Sequence, residues 1–352
     1  MAGKKTSFLK KVIISIFLLI LIGGGIGGYW AYLLVFQPNV KLEGKNAEYF
    51  YIHTNATFAD VLKDLSEQHI IVNQASFERL AELKKYKMKV HPGRYRLHDR
   101  MSNNELINML RAGIQEPVQI TFNNIRTKEQ LASRVGKRLE ADSFQFLDLL
   151  NNKDFTIKYG FTKANILSIF IPNTYEMYWN TSSEEFMNRM AKEYKSFWND
   201  KRKTQAKEIN LSQSEVSVLA SIVQAEQSRF NDEKAVIAGL YINRLKKGMA
   251  LQSDPTLIYA LGDFTINRVL NGDKDIDSPY NTYKYAGLPP GPICLPEISS
   301  LDAVLNYRKS NYIYMCAKED FSGRHNFAET IEQHAIYAKR YREALDKHNI
   351  RR

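Results

Sequence analysis

Cysteine and histidine are scarce in this chain of 352 residues, which contains two cysteines and seven histidines. The spacing of Cys294 and Cys316 matches no metal-binding motif, and the scattered histidines form no H-E-x-x-H pattern. These absences argue against a metal enzyme. The two cysteines leave two interpretations open: a disulfide if they lie outside the cytoplasm, or two buried, unpaired thiols.

Acidic residues are outnumbered, since 38 aspartates and glutamates stand against 49 lysines and arginines, giving a net charge of +11. Such a balance suits an anionic partner: nucleic acid, an anionic membrane or an acidic cell-wall polymer. The sequence has no basic helix with interleaved aromatic residues and no zinc-finger or RNA-binding signature, so we expect no nucleic-acid partner. With 44% hydrophobic residues, the chain can bury a substantial core.

Charge is missing altogether from residues 12–40. A membrane-spanning helix needs roughly 20 apolar residues, and this segment supplies them, with Tyr29, Trp30 and Tyr32 placed as an interfacial aromatic belt. We predict a cytoplasmic tail over residues 1–11 and a transmembrane anchor over residues 12–36. Four lysines in the tail favour a cytoplasmic N-terminus.

No second segment of this kind follows in the sequence, so the chain is predicted to cross the cytoplasmic (inner) membrane once and to lie mostly outside it. A cleaved signal peptide is the alternative interpretation. The apolar run is longer than the core of a typical signal peptide, and no A-x-A cleavage site follows it. An uncleaved anchor is therefore favoured.

Beyond the anchor, a linker over residues 37–48 leads into an alternation that is typical of an α+β fold. The periodicity predicts a strand, two helices and a returning strand, at 49–53, 57–65, 76–83 and 93–97. A capping box at Ser102–Glu105 begins a third helix, which ends at Gly113. This element order resembles the small LysM-like fold used on cell-wall glycans, so we assign a LysM-like domain to residues 49–116.

Residues 117–210 form a connecting region in which this order partly recurs. A strand at 118–122 and a helix capped at Thr127 lead to residues 143–147, whose sequence is similar to that of residues 76–80. The region is either a second small α/β module, which would be a divergent repeat, or the similarity arose by chance. We interpret the charged segment 201–207 as a solvated link to a largely helical domain over 211–352.

A helix that begins at the capping box Ser212–Glu215 carries a single acid near its end. Leu219, Ile222, Val223 and Glu226 fall on one face, so Glu226 extends an apolar stripe. Burial raises the pKa of a carboxyl group, and a carboxyl that stays protonated can protonate a glycosidic oxygen. By itself the helix favours a simpler interpretation, in which Glu226 turns to solvent or pairs with a nearby arginine.

Four segments change that balance because they resemble, in order, the motifs of the YceG-like family of endolytic murein transglycosylases. They are Ala220–Glu226, Ile242–Thr256, Tyr280–Ile293 and His325–Phe327. Upstream, Pro172–Glu176 and Gly93–Arg96 resemble two shorter motifs of the family, and the resemblance extends over the whole chain. One position departs from the pattern, since many members carry an acid where this chain has Gln224.

The resemblance implies cleavage of the β-1,4 bond between N-acetylmuramic acid (MurNAc) and N-acetylglucosamine (GlcNAc) within peptidoglycan, leaving 1,6-anhydroMurNAc ends. It further implies a lysozyme-like catalytic domain with Glu226 as the sole acid and base, and no metal or organic cofactor. Contact with the peptidoglycan synthesis machinery and termination of nascent strands are implied as well. If the acid missing at Gln224 were essential, the protein would be an inactive, membrane-tethered peptidoglycan-binding scaffold. A peptidoglycan hydrolase, the third hypothesis, would need a second carboxylate, for which Asp254 and Glu176 are candidates.

The motif residues around Glu226 are predicted to bind the glycan through polar side chains, aromatic faces and a stiff proline-rich wall. They are Gln252, Asp254, Thr256, Tyr259, Tyr280, Asn281, Thr282, Tyr283, Leu288, Pro289, Pro290 and His325. Structural alternatives remain open for several of them. Asp254 and Pro255 suit the N-cap and first position of a helix, Tyr259 suits the core, and residues 287–293 suit a domain-closing loop. His325 suits a structural hydrogen bond, and Asn243 and Arg244 suit pairing within the fold.

Overall fold

Short strand pairs and many helices make up the α+β fold of the computed structural model, which describes residues 2–266 and 269–348. Its strands are β1 (Ala47–Ile52), β2 (Gly93–His98), β3 (Val118–Thr121), β4 (Thr174–Met177), β5 (Tyr314–Ala317) and β6 (His325–Ala328). The helices before residue 200 are α1 (Ala2–Phe36), α2 (Phe58–Glu67), α3 (Gln74–Leu83), α4 (Asn103–Ala112), α5 (Lys128–Gly136), α6 (Ser143–Asn151), α7 (Lys153–Lys158) and α8 (Ser183–Phe197). The later helices are α9 (Asp200–Glu208), α10 (Gln213–Glu226), α11 (Asn231–Lys246), α12 (Asp254–Leu261), α13 (Ile298–Leu305) and α14 (Ile331–Lys347).

Helix α1 is apolar and long enough to cross a membrane. Its segment Leu9–Phe36 has a mean hydropathy of 2.3, and none of its most apolar stretch is buried by the protein. At 1.5 Å per residue, 28 residues exceed the roughly 30 Å hydrocarbon thickness of a bilayer. The helix agrees with a single-pass membrane protein.

The chain divides into two compact units, of which the first comprises residues up to Val118 together with 177–180. Strands β1 and β2 pair antiparallel, with Ala47 opposite His98 and Ile52 opposite Gly93. Helices α2, α3 and α4 accompany this hairpin, and the predicted capping box at Ser102 is present. The core is formed by alternate residues of both strands and the apolar faces of the helices, including Phe50, Phe77, Tyr95 and Leu106.

The expected linker over residues 37–48 is instead part of this unit. Val40 and Leu42 are each 3% exposed and belong to its core. The backbone N–H of Val40 donates to the carbonyl of Met101, and the Asn39 amide donates to Asn103 Oδ1 at 2.7 Å. The assignment was wrong because a short, largely polar segment after an anchor reads as a spacer, whereas Val40 and Leu42 have a core to fill.

The second unit comprises residues 119–176 and 181 onwards. Strands β3 and β4 pair with each other, and the hydroxyls of Thr121 and Thr174 lie 2.9 Å apart. Between the strands lie α5, α6 and α7 and a short 3-10 turn, so a strand-helices-strand order recurs with an additional helix. The divergent repeat stays a prediction.

The charged segment 201–207 is helical rather than a solvated link. It lies in α9, whose N-cap Asn199 accepts a hydrogen bond from the Arg202 N–H. Lysine, arginine, glutamine, alanine and glutamate are good helix formers, and Ala206 is buried against the core. A polar composition with a single buried contact gave no hydrophobic period from which the helix could be predicted.

Helices α10, α11 and α13 build the core that carries the candidate site, with Leu219, Ile222, Tyr241 and Leu301 buried among them. At Gly239 on α11, a Cβ atom would collide with the carbonyl oxygen of Arg308. Glycine therefore lets the backbone after α13 lie directly on α11. That backbone leads into the antiparallel hairpin β5–β6, which begins its return strand at His325.

Candidate active site

Glu226 is the last residue of α10, the helix that begins at the predicted capping box of Ser212 and Glu215. The predicted apolar face is confirmed, because Leu219, Ile222 and Val223 are fully buried. Glu226 is half-buried, and it pairs with no arginine among the residues that the structure describes. Its Oε1 atom accepts hydrogen bonds from the Tyr241 hydroxyl at 2.7 Å and from the Ser253 hydroxyl at 2.5 Å.

Burial raises the pKa of Glu226 above its ordinary value, and the two hydroxyl donors and His325 counteract only part of this rise. Both hydroxyls act on Oε1, while Oε2 accepts no hydrogen bond from the described part of the chain. The group therefore combines a tendency to hold a proton with donors that stabilise its ionised form. Such a carboxyl can act first as an acid and then as a base.

Glu226 lies in a cavity of about 420 Å³, which we call the acidic cavity. Four of the predicted substrate-binding residues line it with Glu226: Gln252, Asp254, Tyr283 and His325. Asp254 Oδ1 accepts a hydrogen bond from the Tyr283 hydroxyl at 2.5 Å. The structure thus brings together residues from all four of the sequence motifs.

Gln252 precedes Ser253 in a strained backbone conformation. Its φ of +53° lies in the left-handed region, which a non-glycine residue occupies only when its surroundings enforce it. The Gln252 N–H donates to the Thr282 carbonyl, and its Oε1 accepts from the buried Arg244 guanidinium at 3.2 Å. This turn delivers the Ser253 hydroxyl to Glu226.

The sequence suggested that Asp254 is the N-cap of α12, but the structure places it inside the helix. Ser253 occupies the N-cap, so Asp254 and Pro255 are the first two residues of the helix. The Ser253 side chain makes no capping bond because its hydroxyl is committed to Glu226. The helix therefore begins one residue earlier than predicted. The Asp254 carboxylate is not used as a cap, and it lines the cavity instead.

His325 is held by a buried acid that the sequence did not reveal. Its Nδ1 lies 3.1 Å from Glu233 Oε2, and its backbone N–H donates to Glu233 Oε1 at 3.2 Å. Glu233 is 6% exposed, and it also accepts from Gln227 Nε2 at 2.8 Å. His325 therefore makes the structural hydrogen bond that was considered, and it also lines the acidic cavity, so contact with substrate stays a prediction.

Three residues that were expected to contact substrate are buried instead: Thr256, Asn281 and Thr282, at 0%, 0% and 2% exposure. Thr282 Oγ1 accepts from the Ser253 N–H at 3.0 Å, and it lies 2.8 Å from Thr256 Oγ1. The Asn281 amide donates to two backbone carbonyls of the preceding loop. These side chains satisfy buried backbone groups and hold the Ser253 turn in place, which explains polar residues inside a motif.

Tyr259 and Tyr280 pack against each other with ring centroids 4.7 Å apart, and neither lines the acidic cavity. Leu288 is partly buried against the core, Pro289 is buried and Pro290 is exposed. None of these three lines the acidic cavity. A Cβ on Gly291 would collide with the Ala164 carbonyl oxygen, so this segment packs closely on a neighbouring loop and favours the closing-loop interpretation over the glycan wall.

Gln224 stands where many members of the family carry an acid, and its side chain contacts the start of α13. Its Oε1 accepts hydrogen bonds from the Glu297 N–H at 2.5 Å and the Ser300 hydroxyl at 3.2 Å, at the start of α13. A carboxylate would accept the same bonds. Asn243 and Arg244 pair within the fold as predicted, with carbonyl acceptors at Ser310, Tyr312, Ile313, Ala250 and Leu251.

The two cysteines are free thiols, so the unpaired interpretation holds. The Cys294 thiol lies 3.6 Å from the carbonyl of Ser221, and burial raises its pKa to about 12. Cys316 lies in β5 and lines the acidic cavity. Within residues 2–266 and 269–348, no group of three histidine, cysteine or acidic side chains is placed to hold a metal ion.

A protonatable carboxyl that accepts from two hydroxyl donors, at the edge of a polar cavity, has the features that a general-acid site requires. The sequence model of the YceG-like family matches residues 50–340, and the chain belongs to this family. The endolytic murein transglycosylase of Bacillus subtilis (strain 168) is 30% identical over 334 residues, which cover 90% of this chain and 91% of that protein.

The endolytic murein transglycosylase of Streptococcus pneumoniae serotype 2 (strain D39 / NCTC 7466) is 28% identical over 361 residues. The match covers 93% of this chain and 64% of that longer protein. The 2.6 Å crystal structure of a putative yceG-like protein, lmo1499 of Listeria monocytogenes, superposes with a TM-score of 0.55 at 25% identity. It covers 83% of this chain and 98% of that chain.

Proposed function

We propose that this chain is a lytic transglycosylase that cleaves peptidoglycan glycan strands internally, at the β-1,4 bond between MurNAc and GlcNAc. The observation that carries the proposal is the state of the Glu226 carboxyl in the acidic cavity. Burial raises its pKa, and hydrogen bonds from Tyr241 and Ser253 fix its Oε1 atom. The relatives named endolytic murein transglycosylase support it.

Glu226 serves as acid and base in turn. Its proton moves to the glycosidic oxygen as the bond from that oxygen to C1 of MurNAc breaks. The C6 hydroxyl oxygen of the same MurNAc then bonds to C1, and its proton returns to the Glu226 carboxylate. The products are a 1,6-anhydroMurNAc end and a GlcNAc end with a free 4-hydroxyl, and no water is consumed.

The hydroxyls of Tyr241 and Ser253 make this alternation possible. While Glu226 is ionised between the two proton transfers, both hydroxyls donate to Oε1 and stabilise the charge. Once Glu226 is protonated again, burial favours the neutral form. The same side chain thus starts and ends the cycle in its protonated state.

We assign the substrate contacts to residues that line the acidic cavity beside Glu226. Gln252, Asp254, Tyr283 and His325 present amide, carboxylate, hydroxyl and imidazole groups beside Glu226. We assign them to the hydroxyl and acetamido groups of the sugars on either side of the scissile bond. Glu233 positions the His325 ring through Nδ1.

A second carboxylate is not required by this chemistry, which separates it from hydrolysis. Glu176 accepts a hydrogen bond from Gln119 at 3.1 Å on the β3–β4 pair, and it does not line the acidic cavity. Asp254 shares the cavity with Glu226, but its Oδ1 is bound by Tyr283. Hydrolysis with Asp254 as base would leave reducing ends, which gives the two reactions different products.

The cellular arrangement is part of the proposal, and the long apolar helix α1 supports it. Helix α1 anchors the protein in the cytoplasmic membrane with its N-terminus inside, which keeps the enzyme at the membrane where new glycan is made. There the enzyme terminates nascent strands in contact with the synthesis machinery. Residues 49–116 act as a LysM-like glycan-binding domain, 117–210 as a connecting module and 211–352 as the lysozyme-like catalytic domain.

Digestion of purified peptidoglycan by the full-length protein tests the proposal, with new ends analysed by mass spectrometry. The wild type should produce internal fragments with 1,6-anhydroMurNAc ends, and Glu226→Gln should produce none. Glu215→Gln is the matched control, because it lies on the same helix and caps its other end. Binding without cleavage by the wild type would favour the inactive scaffold, and full activity of Glu226→Gln would refute the assignment.

A further inference from the structure

A second cavity, of about 670 Å³, lies beside the C-terminal end of α10. Its walls come from the end of α10, from α12 with the loop that follows it, and from the segment between β3 and α5. We call it the Arg126 cavity, and its lining includes Asn124, Arg126, Gln130, Gln224, Tyr259 and Phe264.

Neighbouring residues of the same two segments line the two cavities. On α10, Glu226 lines the acidic cavity, whereas Ala225 lines the Arg126 cavity. At the start of α12, Asp254 lines the first and Pro255 the second. The two cavities therefore lie next to each other at the end of α10 and the start of α12.

The chemistry of the second cavity suits a sugar that carries a carboxylate. Arg126 is its one charged residue among the described lining residues, and no acid is present there. The Arg126 guanidinium lies 4.8 Å from the centroid of the Phe264 ring and makes no ion pair within the described residues. Stacked on an aromatic face, a guanidinium keeps its edge N–H groups available for a carboxylate.

The other lining groups match the remainder of such a ligand. Asn124, Gln130 and Gln224 offer amides for hydroxyl and acetamido groups, and Tyr259 and Phe264 offer aromatic faces. The volume lies within the range of ordinary ligand sites, about 300–1,000 Å³. It accommodates a sugar ring together with a side group.

We propose that the Arg126 cavity binds a carboxylate attached to a MurNAc residue of the strand, one or more sugars away from the bond that Glu226 cleaves. The inference rests on the proposed function for the identity of the glycan. MurNAc differs from GlcNAc by a lactyl group, whose carboxyl is either free or extended by a stem peptide that has carboxylates of its own. Arg126 recognises the carboxylate, and so it distinguishes this polymer from a plain GlcNAc polymer.

Binding to full-length protein in the Glu226→Gln background tests the proposal without cleavage of the ligand. Three soluble strands of equal length are compared: one with intact stem peptides, one stripped to the lactyl carboxylates, and one whose carboxylates have all been converted to amides. Arg126→Gln should weaken binding of the carboxylate-bearing strand about tenfold, the loss expected for one charged hydrogen bond. The amidated strand should bind with equal affinity whether or not the Arg126→Gln substitution is present.

Arg138→Gln is the matched control, because Arg138 is an exposed arginine two residues beyond α5 that lines neither cavity. It should leave all three affinities unchanged. Arg126→Lys should recover part of the loss, since a lysine keeps the charge without the paired donors. If the stripped strand already shows the loss, the lactyl group is the ligand, and a loss confined to the intact strand assigns the stem peptide.

An unchanged affinity in Arg126→Gln for both carboxylate-bearing strands would overturn the proposal. An equal loss for the amidated strand would overturn it as well, because Arg126 would then act on the sugar or the fold rather than on charge. The measurement does not depend on catalysis. Failure of the wild type to form anhydro ends would refute the proposed reaction while leaving a charge-dependent affinity at Arg126 in place.

Discussion

The two cavities beside the end of α10 differ in the charged residues that line them and in how far hydrogen bonds fix their side chains. The acidic cavity is lined by two acids, Glu226 and Asp254, and by the Arg244 guanidinium, and these groups are tied into hydrogen bonds with neighbouring side chains. The Arg126 cavity has a single cation stacked on an aromatic ring. Fixed, partly desolvated groups suit proton transfer, and an unpaired cation with aromatic faces suits recognition. Under our two proposals, the acidic cavity serves cleavage and the Arg126 cavity serves recognition of the same strand.

Removal of the Ser253 hydroxyl should have the largest effect among the supporting residues. Ser253→Ala leaves Glu226 with one donor, so its ionised form loses a charged hydrogen bond, and kcat should fall about 10- to 100-fold. The Ser253 bond lowers the pKa of Glu226, so its loss raises that pKa. Because the acid must be protonated, the fall of activity towards high pH should move to higher pH.

A pH–rate profile of both proteins checks this prediction. Ser299→Ala serves as the control, since that hydroxyl lies near Lys234 and Glu297 and outside both cavities. If Ser253→Ala lowers the rate but activity falls at the same high pH as in the wild type, Ser253 acts on the fold and not on Glu226.

Loss of the Glu233 charge should reduce activity about tenfold, because a buried, charged hydrogen bond that orients a ring contributes roughly 1.5 kcal/mol or more. Glu233→Gln removes the charged acceptor for His325 Nδ1. Asp232→Asn, one residue earlier, is the control, because that acid is exposed and pairs with Arg324 at the surface. We expect the loss in kcat/KM on intact strands. Equal activities of the two variants would assign Glu233 a purely structural role.

Glu226→Gln should be more stable than the wild type at neutral pH. The folded-state pKa of Glu226 is raised, so its contribution to the free energy of unfolding is fully present below the ordinary value of 4.5 and is lost as pH rises through the folded-state pKa. Glutamine does not titrate. Thermal unfolding in detergent should give a higher Tm for Glu226→Gln than for the wild type at pH 8.

The Tm gap between the two proteins should close as the pH falls towards 4. A gap that is constant across this range would contradict the buried, protonatable state of Glu226.

The smallest effect is expected at Gln224. Gln224→Glu keeps both acceptor bonds at the start of α13 and adds a negative charge there, which favours the helix by about 0.3–1 kcal/mol. Activity should stay within about threefold of the wild type, which is under 1 kcal/mol in barrier height. A gain of tenfold or more in anhydro product would show that the missing acid limits this enzyme.

Local rules account for what could be predicted from the sequence. The face of α10 and its start depend on residues within one or two turns of each other, so periodicity and the Ser212–Glu215 capping box suffice. The partners of Glu226 lie 15 and 27 residues further along the chain. Their types, tyrosine and serine, are common everywhere, and only the turn at Gln252 brings Ser253 to the carboxylate.

Three residues that we expected to contact substrate are buried for a common physical reason. Thr256, Asn281 and Thr282 belong to motifs beside the site, and polar side chains in such motifs suggest contact with substrate. In the folded chain they satisfy backbone groups that the Ser253 turn would otherwise bury without partners. A sequence shows that a polar residue is present, whereas burial decides whether it faces a ligand or the backbone.

Digestion of peptidoglycan in water enriched in ¹⁸O tests the central claim most directly, because the proposed reaction of Glu226 uses the C6 hydroxyl of the sugar and no water. Wild-type protein should create 1,6-anhydroMurNAc ends that contain no ¹⁸O, and their number should match the number of new GlcNAc ends. New reducing MurNAc ends in place of the anhydro ends would contradict the account and would identify hydrolysis.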